Sequence, residues 1–153
     1  MVVLALIGIF TALVVPRFGN GWFQDDTRKA LNWLIVKTDV LKSNARKGHQ
    51  AFALCYDPAS HSFNIFAGER DDQNPGFDDL EPVGQYVLPP QLRVENIVIK
   101  DAKETDFTAC IQFYPEGYSD WARIFLTDDD NRDWILEIQP FVPGMVLQAK
   151  GEE

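Results

Sequence analysis

The first fifteen residues carry no charged side chain, and this run constrains the fold more than any other feature of the chain. If residues 1–15 form a helix, they rise about 22 Å, short of the roughly 30 Å hydrocarbon core of a bilayer. Thr11 is the one polar side chain among them, and its hydroxyl can bond back to its own helix. An ordinary core helix usually has a polar stripe, so this run is more typical of burial in a membrane or between helices.

Charge divides the chain into three zones. After the uncharged run, residues 17–50 hold seven basic and three acidic side chains, a net +4, whereas residues 51–153 hold seven basic and twenty acidic ones, a net −13. The total of −9 repels phosphate backbones, so we expect no nucleic-acid partner. The basic segment of one molecule can attract the acidic body of a neighbour that is displaced along the stacking axis. Acidic bodies at the same level repel each other, so this charge layout favours staggered packing.

A family resemblance begins in the apolar run. Residues 2–18, VVLALIGIFTALVVPRF, resemble the N-terminal helix of type IV pilins and of the pseudopilins of type II secretion, including Pro16 and Phe18. Family members carry a basic leader, a Gly-Phe cleavage junction and usually a glutamate at the start of this helix. The sequence begins at Met1 inside the helix, so we expect the natural start to lie upstream. The resemblance therefore assigns the family's glutamate contact to no residue of this sequence.

The resemblance implies that residues 1–21 are an apolar membrane or filament-core helix followed by a hinge. Gly19, Asn20 and Gly21 are poor helix formers, and either a kink in the stem or a plain turn between domains fits them. The apolar helix positions are Val2, Leu4, Leu6, Ile9, Phe10, Leu13 and Pro16.

A second helix is predicted over residues 25–48. Asp25, Asp26 or Thr27 would be its N-cap, and Gly48 would end it. One broad apolar side fits packing on the domain's own sheet. The nearly opposite side would meet neighbouring subunits or a second layer, or lie in the same core, and it consists of Trp33, Val36 and Val40.

From residue 50 onward the apolar pattern changes to the alternation of strands. Seven strands are predicted, at residues 51–56, 62–66, 85–88, 92–99, 107–114, 122–127 and 134–139. With the resemblance, this predicts an α+β fold: a pilin-like N-terminal helical stem packed on an antiparallel β-sandwich or sheet of about seven strands. The globular domain would span residues 22–153, with the β-rich body at 50–149.

The C-terminal part of the sequence resembles one particular family among the pilin-like proteins. The stretch from Phe113 through Gly117, residues 134–138, and Pro143-Gly144 are similar to the closing pattern of the minor pseudopilin H family, which ends in a glycine turn and a short last strand. The resemblance implies a structural subunit of a type II secretion filament. Its partners would be other pseudopilins or pilins and the inner membrane, which the N-terminal helix crosses once, with the globular domain in the periplasm. A minor pilin of a type IV pilus is the alternative.

A different class of function is a membrane-tethered periplasmic module that binds a ligand or a secreted protein cargo. The acidic stretch at residues 68–82 reads as a long surface loop, and long loops often carry function. Trp121 and Trp134 would add an aromatic platform if exposed. The loop residues that would contact cargo or a partner are Asp71, Asp72, Phe77, Asp78 and Asp79.

The sequence gives little basis for catalysis, so we predict no enzyme and no cofactor. His49 and His61 are the only histidines, and both are expected at the surface. No Gly-rich phosphate loop or nucleophile elbow occurs. Residues 128–133 raise the question of calcium, but they lack the glycine and distant glutamate of an EF-hand loop. A solvated hairpin turn is the favoured interpretation, and no metal site is predicted.

Cys55 and Cys110 both fall in predicted strands. Alternation does not decide whether either side chain is buried, and a periplasmic body could be oxidised. Two free thiols are favoured over a bridge, because unpaired cysteine is commonly buried as a small hydrophobe.

Overall fold

The structure, a computed structural model, describes residues 21–69, 77, 79–100 and 109–149. Within them it has one helix and eight strands. The elements are α1 (Gly21–Gly48), β1 (Phe52–Asp57), β2 (Ser62–Ala67), β3 (Gly84–Val87), β4 (Leu92–Ile99), β5 (Cys110–Phe113), β6 (Ala122–Asp128), β7 (Asp133–Ile138) and β8 (Met145–Ala149).

Helix α1 packs one side against both sheets. Ala30, Leu34 and Ala45 on that side are completely buried. Thr38 is also buried, and its hydroxyl donates to the Leu34 carbonyl at 2.9 Å, so the helix itself satisfies this polar group. The helix ends at Gly48, as predicted, and packing of its apolar side stabilises it more than local propensity does.

The predicted N-cap at Asp25, Asp26 or Thr27 is wrong. Helix α1 already begins at Gly21, and Thr27 is buried inside it. A capping side chain contributes only about 1 kcal/mol, so it does not fix where a helix with a continuous packing side starts. Residues 19 and 20 of the predicted break lie outside the described residues, and Gly21 is helical.

The first sheet is antiparallel, with strand order β3-β2-β1-β5. In register, Leu54 of β1 lies opposite Ile65 of β2 on one side and Ile111 of β5 on the other. This row faces α1 and joins a core cluster that includes Phe63 and Phe113. The alternation that predicted these strands therefore comes from one face packed on the helix.

The second sheet is also antiparallel, with strand order β4-β6-β7-β8. Along β6, buried and half-buried residues alternate, with Ile124 and Leu126 turned into the same core as the first sheet. The α+β prediction is confirmed: one helix packs on two four-stranded antiparallel sheets. The alternation pattern missed β8, whereas the family pattern had implied a short last strand there.

The prediction of two free thiols is wrong, because Cys55 and Cys110 form a disulfide. They are directly opposite each other on β1 and β5, on the face of the first sheet that turns away from α1. The bridge closes a loop with a sequence separation of 55. In the chain-entropy view, a loop of this length contributes about 4 kcal/mol to stability.

Candidate functional site

The three residues of the predicted subunit-contact side of α1 differ in their exposure. Val36 and Val40 are exposed, consistent with an available surface. Trp33 is half-buried and stacks on Tyr86 of β3, with ring centroids 4.3 Å apart. Trp33 therefore fastens α1 to the first sheet, and the exposed apolar part of this side is limited to the two valines.

The predicted cargo loop is described only in part. Asp71, Asp72 and Asp78 lie outside the described residues, and Asp79 is exposed. Phe77 is buried and stacks on Phe66, with ring centroids 5.2 Å apart. Both rings belong to the small cluster around the disulfide, so Phe77 anchors this segment to the outer face of the first sheet rather than offering its ring to a ligand.

The seven apolar positions predicted for the stem, from Val2 to Pro16, lie outside the described residues. Within the described part of the chain, no helix has the length and apolar character needed to cross a membrane.

A buried lysine holds the segment that joins β7 to β8. Lys42 of α1 is 7% exposed, and its Nζ donates to the carbonyl oxygens of Gln139 and Val142, each at 2.7 Å. Burial lowers the pKa of Lys42, while the nearby Asp39 acts in the opposite direction. Both carbonyls thus gain a charge-assisted partner, and the segment 139–144 is fixed to the helix.

This fixed segment displays an aromatic side chain. Phe141 is 85% exposed, the highest value among the large apolar side chains of the described residues. Its ring lies 5.8 Å from that of Tyr118, which in turn stacks on Tyr114 at 4.5 Å. We call Tyr118, Phe141 and the exposed Val142 the aromatic patch.

Asp120 supports the base of the aromatic patch. One of its carboxylate oxygens accepts from the Tyr114 hydroxyl at 3.1 Å, and the other accepts from the Gln112 amide at 3.0 Å. Burial and the neighbouring Asp120 raise the pKa of Tyr114 to about 12, so this hydroxyl keeps its proton and remains a donor. Sequence reasoning missed the patch, because a lone phenylalanine between two prolines gives no periodic signal.

The turn between β6 and β7 is organised by an internal carboxylate. Asp128 is buried, unlike the solvated position expected for it, and its Oδ1 accepts from the amides of Asp130 and Arg132, both at 3.0 Å. Its Oδ2 accepts from the Arg132 side chain at 2.8 Å. Protein donors therefore occupy both oxygens. Across the described residues, no group of three or more His, Cys, Asp or Glu side chains is arranged to hold a metal ion.

The two histidines differ in their environment. His49 is exposed directly after α1, as expected. His61 lies in the predicted β1–β2 turn but is half-buried, with Nδ1 3.0 Å from the Tyr56 hydroxyl and Nε2 2.9 Å from the Leu92 carbonyl. Since a carbonyl can only accept, Nε2 carries a proton, and this side chain links the turn to β4.

The two tryptophans proposed as a platform do not form one. The Arg123 guanidinium carbon lies 4.9 Å from the centroid of the Trp121 ring, and Arg123 also pairs with Glu137 at 2.7 Å. Trp134 packs against the main core. Both tryptophans are half-buried, and each already has a contact within the fold, a cation for Trp121 and the core for Trp134.

The comparisons with known proteins point to one fold. No family model matches the chain, and no curated protein matches it. A solved structure with the same fold is the minor pseudopilin EpsH from the Type 2 Secretion System of Vibrio cholerae. It is 14% identical, with a TM-score of 0.57 over 83% of this chain and 99% of that chain. The likeness therefore extends over nearly all of EpsH and shows a shared architecture.

Proposed function

We propose that this protein is a minor pseudopilin, a structural subunit without enzymatic activity in the periplasmic filament of type II secretion. The observation that carries the proposal is the fold shared with EpsH over nearly the whole of that chain. The uncharged apolar run that precedes α1 supports it, because an apolar segment followed by a globular domain suits a filament subunit.

In this proposal the two parts of the chain have separate tasks. Residues 1–21 anchor the subunit in the inner membrane before assembly and then pack in the filament, while residues 22–153 form the globular domain in the periplasm. Val36 and Val40 contact neighbouring subunits, because exposed valines in the middle of a helix gain stability when a partner covers them.

Deletion of the gene in its own bacterium tests the proposal. We expect exported enzymes to be lost from the culture medium and to return when the full-length chain is supplied. A chain carrying Val36→Glu and Val40→Glu should restore export poorly, whereas Val98→Glu, at an exposed valine on β4, should restore it fully. Normal export in the deletion strain would contradict the proposal.

The same strain distinguishes the alternative of a type IV minor pilin, which the shared fold equally fits. Loss of surface pili with normal export would identify that role. The cargo-binding alternative requires the acidic loop, and Phe77 must be kept because it covers the disulfide. Replacing Asp71, Asp72 and Asp78 by asparagine should leave assembly intact, but it would abolish capture of a cargo held by that loop.

A further inference from the structure

The aromatic patch is rigidly displayed. The 139–144 segment is held by two bonds from the buried Lys42, and Pro140 and Pro143 restrict its backbone further. Exposure of Phe141 is therefore a property of a fixed surface. A fixed, exposed aromatic ring is the kind of side chain that dominates the binding energy of protein interfaces.

Basic side chains border the aromatic patch. Arg46 follows Lys42 by one helical turn, and its Cδ lies 3.2 Å from the position that a Cβ on Gly117 would occupy. Gly117 precedes Tyr118 directly, which places Arg46 beside the patch. Lys47 is exposed next to Arg46, and Glu116 is an exposed carboxylate in the same turn. With the Asp120 carboxylate at the base, the border carries both signs of charge, and Arg46 is the cation that lies directly beside it.

An acidic surface lies along β3, the outer strand of the first sheet. Val83, directly before this strand, and Val87, at its end, are 63% and 61% exposed, and Leu80 is also exposed. Two exposed carboxylates lie among these apolar side chains. We call this surface the β3 edge, and it consists of Asp79, Leu80, Glu81, Val83 and Val87.

The two surfaces are at opposite ends of the sheet. In the order β3-β2-β1-β5, the chain leaves β5 directly into Tyr114 and Tyr118, so the aromatic patch lies beyond the edge opposite β3. One molecule cannot bring them together. Two copies can, and the contact is then head to tail, in which each copy uses a different surface.

We propose that the aromatic patch of one copy docks on the β3 edge of a second copy, with Arg46 facing Asp79 and Glu81. Phe141 and Val142 would cover Val83 and Val87, and the exposed Arg46 has the charge opposite to that of the two exposed carboxylates. This contact rests on the proposed function for its biological setting. It extends that function by naming a second copy of the chain as a partner of the globular domain.

Photo-crosslinking of the full chain tests the contact. Phe141 is replaced by p-benzoylphenylalanine, and copies with and without a heavy-isotope label are mixed in an excess of detergent micelles. We expect crosslinked peptides of mixed label that join position 141 to residues 79–87. A folded chain that gives no such pair, or that crosslinks to another segment, overturns the proposal.

Variants test the chemistry of the contact through sedimentation equilibrium of the full chain. Phe141→Ser should raise the dissociation constant about tenfold or more, since an interface anchor is lost. Lys42→Met should weaken association through the released segment, while Val98→Ser, at an exposed valine on β4, should leave it unchanged. Circular dichroism and the Tm establish that each variant is folded.

A charge exchange separates pairing from general electrostatics. Arg46→Glu and Glu81→Lys should each weaken association, and the double variant should recover most of it. A double variant no tighter than either single variant overturns the pairing. If the contact fails while the chain still restores export, this contact falls and the proposed function stands. If the contact is found while the deletion strain exports normally, the contact stands and the proposed function falls.

Discussion

At the scale of single residues, Asp128 stabilises the fold through its charge. Burial alone would raise the pKa of this carboxyl, but hydrogen bonds from Arg132 and Asp130 outweigh burial and lower it below 3.8. The folded state therefore binds this proton less readily than the unfolded chain. The resulting stability is present above the unfolded pKa and is lost as the pH falls through the folded one.

We therefore expect Asp128→Asn to lower the free energy of unfolding at pH 7 by about 1 to 3 kcal/mol, since the charged partner of Arg132 is lost. The difference from the native chain should begin to shrink below about pH 4, where the unfolded carboxyl takes up its proton, and it should disappear as the pH falls through the lower folded pKa. Urea unfolding at several pH values measures this. Asp129→Asn, at the exposed neighbouring position, is the control, and a pH-independent difference would contradict the role of charge.

Both the backbone conformation and a neighbouring side chain favour glycine at position 117. Its φ is +94°, and a Cβ there would meet the Arg46 side chain at 3.2 Å. We expect Gly117→Ala to destabilise the fold by about 1 to 3 kcal/mol through backbone strain. Gly48→Ala is the matched control, because nothing lies within 4 Å of its added Cβ and alanine favours the helix. Equal thermal unfolding of both variants would argue against this account.

At the scale of elements, the disulfide ties β1 to β5 beneath Phe77. We expect Cys55→Ala with Cys110→Ala to lower the free energy of unfolding by about 4 kcal/mol, as the loop-closure estimate gives. Mass spectrometry without reductant should show the native chain lighter by two hydrogens. Unfolding curves that are the same with and without reductant would show that the bridge contributes nothing.

Phe77 covers the disulfide and limits the access of a reductant to it. Cys55, Cys110 and Phe77 are all buried, so a reducing thiolate has no direct access to the sulfurs. Phe77→Ala should speed reduction by dithiothreitol under native conditions, while Val98→Ser should not, as measured by thiol labelling over time. An unchanged rate in Phe77→Ala would mean that reduction requires global opening.

Elements with a regular pattern were predictable, and those set by long-range contacts were not. The end of α1 at Gly48 and the span of β4 follow from local chemistry and alternation. The bridge depends on the register that puts Cys55 opposite Cys110, and no single strand encodes that register. Phe141 likewise depends on Lys42, which lies about one hundred residues earlier in the chain. The part of the site that sequence alone indicated is the exposed pair Val36 and Val40.

At the scale of the whole molecule, the charge layout predicts how copies of the chain would associate. Residues 17–50 carry +4 and residues 51–153 carry −13, so neighbours offset along an axis attract while level neighbours repel. We expect association to weaken when salt rises from about 0.1 to about 1 M, as the Debye length falls from about 10 to about 3 Å. Sedimentation in detergent measures this, and association that is independent of salt would contradict the charge mechanism.

The bridge between Cys55 and Cys110 also decides how the molecule responds to tension along its chain. Force applied at the two ends passes from β1 to β5 through the sulfurs, so it bypasses the covalent chain between Cys55 and Cys110, which includes β2, β3 and β4. A separation of 55 residues corresponds to about 190 Å of extended chain that cannot be drawn out. A molecule pulled in this way would lengthen only through α1 and the strands that follow Cys110, because the covalent ring prevents extension of the chain between the two cysteines.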